Sequence, residues 1–287
     1  MTMEKQQSWG WQVVLDVFVG GIGAGLLLVS FLLERTHGAT PLTEAGCLIG
    51  PLLVIVGVVV LMLELGKPVN MPLAFVNFGT SWMSRGVVLQ PLFIGAGLLY
   101  GLLPVWVAGF KNSGPGILIG TVAALLAILL AVYHGLLYSK AKGIALWNSP
   151  LLPMLYFVSS VAGGAAVLLL LSPFLSATAG QLRLLAAIET ALVCLVLISI
   201  WLMASVQPSV AYRESLKKLF SVSFIIFSIA IGTGIPLVLL IISIFAGQTA
   251  IHTSLLALCG ALILIGTFHL RHTITNAGFF YSLRLAF

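Results

Sequence analysis

The sequence predicts an all-α integral membrane protein, a single bundle of eight transmembrane helices. Three observations carry this. Hydrophobic residues make up 60% of the 287-residue chain and charged residues 7%, with a mean hydropathy of +1.18. Soluble domains carry roughly a quarter charged residues, so the bilayer is the main solvent here. The apolar runs are continuous and about 20 residues long rather than alternating, which selects helices over a closed barrel.

Taken in order, the spans are expected at about 11–33, 45–65, 86–104, 116–137, 151–172, 183–206, 221–245 and 253–271, each near the length a bilayer core demands. No hydrophilic linker between them is long enough to form a second domain, so residues 1–287 are read as one bundle. The run "FVGGIGAGLLLVSFL" from Phe18 in the first span aligns with "FVSSVAGGAAVLLLL" from Phe157 in the fifth. Both present small residues that let helices approach closely. Two readings stay open: a parallel duplication of about 11–137 and 151–271, or a small-residue face of the kind common in membrane helices. "GGIGAG" lies mid-span, without a preceding strand or a phosphate-binding lysine, so it is not a nucleotide loop.

The formal charge of +6 is spread over helix ends with no basic stripe, which argues against nucleic acid. Cys47, Cys194 and Cys259 are isolated in apolar segments, so no iron–sulfur cluster or other metal site is expected in this chain. The first apolar stretch is long and glycine-rich and lacks a small-residue cleavage site after a basic start, so it reads as a span and not a leader.

Eight spans put both ends of the chain on one side, called side A, with the loops after spans two, four and six. Side A holds Lys5, Lys67, Arg85, Lys140, Lys142, Arg213, Lys217, Lys218, Arg271 and Arg284; side B holds Arg35, Lys111 and Arg183. Short loops rich in Lys and Arg face the cytoplasm, which makes side A cytoplasmic in the inner membrane of a prokaryotic cell. Trp9, Trp11, Trp82 and Trp147 add to the anchoring of that face.

An ionisable group within a bilayer is costly and is a functional hypothesis by default. Asp16 lies about two turns inside span one, Tyr133 and His134 lie near the side A end of span four, and Glu64 closes span two. Three helices thus send polar groups beneath side A, where Asp16 is a candidate proton acceptor or donor. The plain alternatives are a helix–helix hydrogen bond for Asp16, interfacial positions for Tyr133 and His134, and a Glu64–Lys67 pair. Glu189 enters span six from side B and is a candidate proton relay, against a structural pairing with Arg183. His134, His269 and His272 give only a weak signal for haem b.

The segment "LELGKPVNMPLAFVNFGTSWMSRG", residues 63–86, is apolar and specific for a loop. Its "LELGKP" and "SWMSRG" resemble the loop before span three in the NrfD-like family, the membrane subunits of polysulfide reductases. "LDVFVGGIGAG" is similar to that family's first span, and "VYHGLLYSKAKGIALWNSPLLPMLYFVSSVAGG" to its join of spans four and five. The resemblance covers most of the chain in order. It implies a membrane anchor that binds quinone or quinol (menaquinone or ubiquinone) in a multisubunit respiratory oxidoreductase. The implied partners are a four-cluster iron–sulfur subunit and a catalytic subunit, often molybdopterin-bearing.

By position, the resemblance makes Asp16 and Tyr133 quinone-binding residues, with His134 assisting and Glu64, Trp82 and Arg85 around them. Asp16 stands where the polysulfide reductase type has histidine. Loop 66–85 would roof the site, and Met71, Phe75, Phe78 and Trp82 would meet the iron–sulfur partner. Well-known members of the family carry that partner outside the cytoplasm, whereas the charge count of this chain puts side A in the cytoplasm. The rival from another class is a secondary transporter with a buried-acid proton site, which fits parallel repeats and many glycines but calls for broken helices at mid-membrane.

Overall fold

A computed structural model describes residues 2–6, 9–64, 81–141, 143–206, 209–245 and 250–282. Strand β1 (Thr2–Lys5) leads into α1 (Trp11–His37), followed by α2 (Pro41–Glu64), α3 (Trp82–Trp106), a 3-10 turn at Phe110–Asn112, α4 (Gly114–Ser139), α5 (Leu151–Leu171) and α6 (Ala179–Ser205). A short α7 (Val210–Leu219) precedes a composite seventh crossing made of α8 (Val222–Phe224), a π-helical stretch (Ile225–Gly234) and α9 (Ile235–Phe245). The chain continues through α10 (Ala250–Asn276) to β2 (Phe279–Ser282). Among the described residues, eight helices are long and apolar enough to cross a membrane, as expected from the apolar runs.

Helix starts are written locally. Ser113 caps α4 by accepting from the Gly116 amide at 3.2 Å, with Pro115 preset for the first turn. Thr178 and Gln181 form a reciprocal capping box on α6. Gly38 ends α1 at φ +83° and Gly109 precedes the 3-10 turn at φ +74°, both in a backbone region that other residues avoid.

Helices α1 and α5 form the centre: 78% and 72% of their most apolar stretches are buried, against 44% or less in the other six crossings. The two small-residue runs singled out in the sequence meet each other here. A Cβ on Gly25 would lie 2.0 Å from the Ser160 carbonyl oxygen, and one on Gly164 would lie 2.1 Å from the Leu26 amide. Glycine is required because backbone touches backbone along this seam. Helices α2 and α4 pack on α1, α6 and α10 on α5, and α3 closes against α2 and α4.

The seventh crossing is helical throughout. Thr233 Oγ1 donates to the Ile229 carbonyl at 2.6 Å and reaches the Ser228 carbonyl, and the Ile235 amide bonds to Ala230, five residues back. Pro236 follows and has no amide to give, so the wider spacing precedes a gap in the hydrogen-bond ladder. Gly232 meets Gly266 of α10, where a Cβ would lie 2.3 Å from the Gly266 Cα.

Outside the spans, β1 and β2 pair antiparallel, Thr2 opposite Ser282 and Lys5 opposite Phe279, which puts both strands on side A. This ribbon adds to the all-α bundle expected from sequence. Trp147 differs from the expected interfacial anchor. It is fully buried, donates to the Ile274 carbonyl at 3.0 Å and packs on Trp9 and Tyr138. At side B, Glu34 is buried with Lys111 at 2.5 Å and accepts from Tyr100 Oη at 2.7 Å, tying the α3–α4 connection to α1.

Candidate functional site

The polar groups expected beneath side A do converge. Asp16, in the second turn of α1, is 5% exposed, and Gln90 Nε2 of α3 donates to its Oδ1 at 3.4 Å. The carboxyl also faces α2, since a Cβ on Gly57 would lie 2.8 Å from the same oxygen. His134 is fully buried against α1, its Cε1 3.3 Å from the Cβ position of Gly20. Tyr133 lies beside it with ring centroids 5.5 Å apart, and its hydroxyl fits against Gly86 of α3, where a Cβ would approach to 2.1 Å.

Burial decides between the two sequence readings of Tyr133 and His134. They are interior groups at 7% and 0% exposure, not interfacial ones. A Cβ at Gly57 or Gly86 would displace Asp16 Oδ1 or Tyr133 Oη, and Gly20 lets the His134 ring pack closely on α1. Both ring nitrogens of His134 are buried and lack a hydrogen-bond partner. Buried polar atoms without partners are costly in hydrocarbon. An imidazole left open in this way, beside a carboxyl and a phenol, is chemically suited to a ligand bearing carbonyl oxygens, as a quinone headgroup does.

Gln90 is a site residue that sequence reasoning missed. It is 7% exposed and holds the Asp16 carboxyl from a neighbouring helix. Its signal was present, as an amide within an otherwise apolar span. Arg271 corrects the charge count: it is 1% exposed, inside the bundle rather than in a side A loop. Its guanidinium donates to the Val17 carbonyl of α1 and to the Ser160 hydroxyl of α5 at 2.7 Å, and lies 5.2 Å from the Tyr156 ring centroid. Lys111 is likewise inside, on side B, so removing one base from each side leaves the asymmetry of the count unchanged.

The remaining residues are placed less completely. Glu64 ends α2, and its side chain lies outside the described residues, as do Met71, Phe75 and Phe78 with the whole of 65–80. Trp82 opens α3 half-buried, with the Arg85 guanidinium 4.3 Å and the Lys140 ammonium 5.8 Å from its ring centroid. Glu189 is fully buried with neither carboxyl oxygen partnered, whereas Arg183 is exposed, so the two do not pair. Because α6 begins at Ala179, Glu189 is ten residues into the helix, roughly 15 Å from its side B end and deeper than its sequence span implied.

His269 bonds to Ser228 at 3.0 Å, with His272 one turn on along the same helix. No group of three His, Cys, Asp or Glu side chains gathers for a metal among the described residues. An apolar groove of about 520 Å³ runs along a different face of α1, lined by Phe18, Val19, Leu53, Phe227, Phe268 and His269.

Comparison with known proteins bears on what this arrangement belongs to. The sequence profile of the family described as "Polysulphide reductase, NrfD" matches residues 1–281. The chain is 31% identical over 186 residues to "Protein NrfD" of Escherichia coli (strain K12), covering 56% of this chain and 58% of that protein. It is 28% identical over 177 residues to the C subunit of the polysulfide reductase of Wolinella succinogenes, covering 54% of this chain and 55% of that protein. The chain thus spans a little over half the length of each of these relatives. With the profile matching nearly its whole length and eight spans in the fold, the chain belongs to the NrfD polysulphide reductase family of membrane proteins.

Proposed function

We propose that this chain is the quinone-reactive membrane subunit of a multisubunit reductase, with its site at the side A end of the first four helices. The observation that supports this most is the meeting of Asp16, Tyr133 and His134, three buried polar side chains from two helices, with both ring nitrogens of His134 left without a partner. A quinone bound there would supply the two-electron, two-proton chemistry; this chain's residues bind, orient and handle protons. Tyr133 Oη donates to one ring carbonyl. Asp16, steadied by Gln90, exchanges a proton at the carboxyl, and His134 offers a ring nitrogen as the second acceptor or donor.

The same reading extends to the surroundings. By the family resemblance, the segment leading into α3 would roof the site, and Met71, Phe75 and Phe78, with Trp82 at the first residue of α3, would bury against an iron–sulfur subunit carrying four clusters. The partner's clusters would exchange electrons with a quinone held by these residues, and a catalytic subunit, often molybdopterin-bearing, would complete the assembly. Glu64 and Arg85 stand at the rim. Side A faces the cytoplasm by the charge asymmetry. Glu189, a carboxyl in hydrocarbon with no partner, serves as a proton relay from the side B half. The meeting of the two small-residue runs at the α1–α5 seam fits a duplicated four-helix unit, about 11–137 and 151–271.

The test is a mild purification of the tagged chain with its partners, followed by electron paramagnetic resonance with and without added quinol. Cluster signals should appear and change on adding quinol, and Asp16→Asn should abolish the change while assembly persists. A chain that purifies without clusters, or signals indifferent to both quinol and Asp16, removes the reading.

A further inference from the structure

Arg271 is not accounted for by that reading. A guanidinium is a permanent cation, and this one sits in a membrane-crossing helix at 1% exposure. Its recorded partners are all uncharged: the Val17 carbonyl, the Ser159 and Ser160 hydroxyls and the face of Tyr156, while its Nε has no acceptor. Among the described residues the ion pairs are Lys111–Glu34 on side B and Lys217–Glu214 on α7, so no carboxylate is paired with Arg271.

The chain has seven acids, Glu4, Asp16, Glu34, Glu44, Glu64, Glu189 and Glu214, of which the side chains of Glu4 and Glu64 lie outside the described residues. Glu34, Glu44 and Glu189 belong to the side B half, Glu214 is on α7, and Glu4 and Glu64 stand at the ends of a strand and a helix on side A. Among the described side chains that leaves Asp16, adjacent in sequence to the Val17 carbonyl that Arg271 holds. A cation in low dielectric without a charged partner is strongly unfavourable unless an anion is supplied. The neighbouring titratable groups are Asp16 on α1, Tyr133, His134 and Tyr138 on α4, Tyr156 on α5, and His269 and His272 on α10 itself. Asp16 is the only acid among them, and in the proposed site it hands its charge to, or takes it from, the ligand.

We propose that Arg271 is the fixed positive charge of the ring-binding site and makes it prefer an anionic quinone headgroup over a neutral one. The geometry is held from both central helices. Gly21, whose Cβ would lie 2.5 Å from an Arg271 terminal nitrogen, clears the path on α1, and Ser160 fixes the other side from α5. Gly20, the next residue, packs on His134, so cation and ligand-facing imidazole flank one turn of α1. Arg271 is a positioning and charge-balancing residue, reaching the ligand through space. At roughly 8 Å, about one and a half helix turns, and an effective dielectric of about 20, a unit negative charge is favoured by on the order of thirtyfold.

This inference rests on the quinone reading, and its test separates the two. The probes are a 2-hydroxy-1,4-naphthoquinone, which is ionised at neutral pH, and its neutral 2-methoxy counterpart. Binding to the full chain in lipid nanodiscs is followed by quenching of tryptophan fluorescence. Wild type should bind the anion more tightly than the neutral probe. Arg271→Gln should weaken the anion by about tenfold or more while changing the neutral probe little, and Arg271→Lys should retain most of the preference. If Arg271→Gln does not insert or fold, Arg271→Lys titrated with both probes across pH carries the test, because the preference should grow as the hydroxyl of the acidic probe ionises.

Equal losses for both probes, or an unchanged preference, overturn the role of Arg271 while leaving the site in place. Binding of the neutral probe that is insensitive to Asp16→Asn and Tyr133→Phe, or no binding at all, overturns the quinone reading and this inference with it.

Discussion

Gly86→Ala is the smallest change that should disable the proposed site. The added methyl would sit 2.1 Å from Tyr133 Oη and 2.4 Å from Cζ. Ordinary carbon contacts begin near 3.5 Å, so the tyrosine head must retreat by more than about 1 Å. Neither partner gives easily, because Gly86 is helical backbone and the Tyr133 ring packs at a tilt against the buried His134. A misplacement of about 1 Å of a group that orients the reacting ligand costs on the order of a hundredfold in turnover.

Gly95→Ala is the matched control in the same helix: its Cβ would meet nothing within 4 Å, and it exchanges a glycine for a better helix former. Both variants are assayed for quinol-driven reduction of the terminal acceptor in membranes, normalised to the amount of assembled complex. Gly86→Ala should fall by about two orders of magnitude with assembly intact, and Gly95→Ala should match wild type. Wild-type turnover in Gly86→Ala would refute the assignment of Tyr133 to the ligand.

Three further outcomes are expected. Lys111→Met strips the buried Glu34 of its counter-charge and should destabilise the solubilised protein by about 3–5 kcal/mol, with Lys111→Met/Glu34→Gln recovering most of it in thermal unfolding. Gly164→Val drives a branched side chain into the α1 backbone, so the protein should insert but lose its folded thermal transition or aggregate in detergent. Gln90→Leu removes the hydrogen bond that steadies Asp16 and should cost about fivefold to thirtyfold in quinol turnover, less than Asp16→Asn; an effect equal to Asp16→Asn would make Gln90 a ligand contact in its own right.

The eight crossings are legible in the sequence because hydrocarbon leaves a backbone no alternative to internal hydrogen bonding, so span length and apolarity decide the fold. The convergence of Asp16, Tyr133 and His134 is legible from depth and side alone. Arg271 is misplaced by sequence reasoning because apolarity ends the last span at 271, whereas the helix runs to Asn276 and carries the guanidinium inside. Trp147 reads as an interfacial aromatic, and only tertiary packing shows its indole bonded to the α10 backbone. The two glycine-rich runs are visible separately; that they pack on each other is a fact of three-dimensional arrangement, which neither run encodes alone.

The location of the ring site is tested most directly by a photoreactive quinone analogue crosslinked to the assembled complex, with the modified residues mapped by mass spectrometry. Label should fall on α1 near Asp16, on α3 near Gly86 and Gln90 and on α4 at Tyr133 and His134, and excess quinone should compete it away. Competable label confined instead to the apolar groove of Phe18, Phe227 and Phe268 would contradict the account, placing the headgroup on the other face of α1.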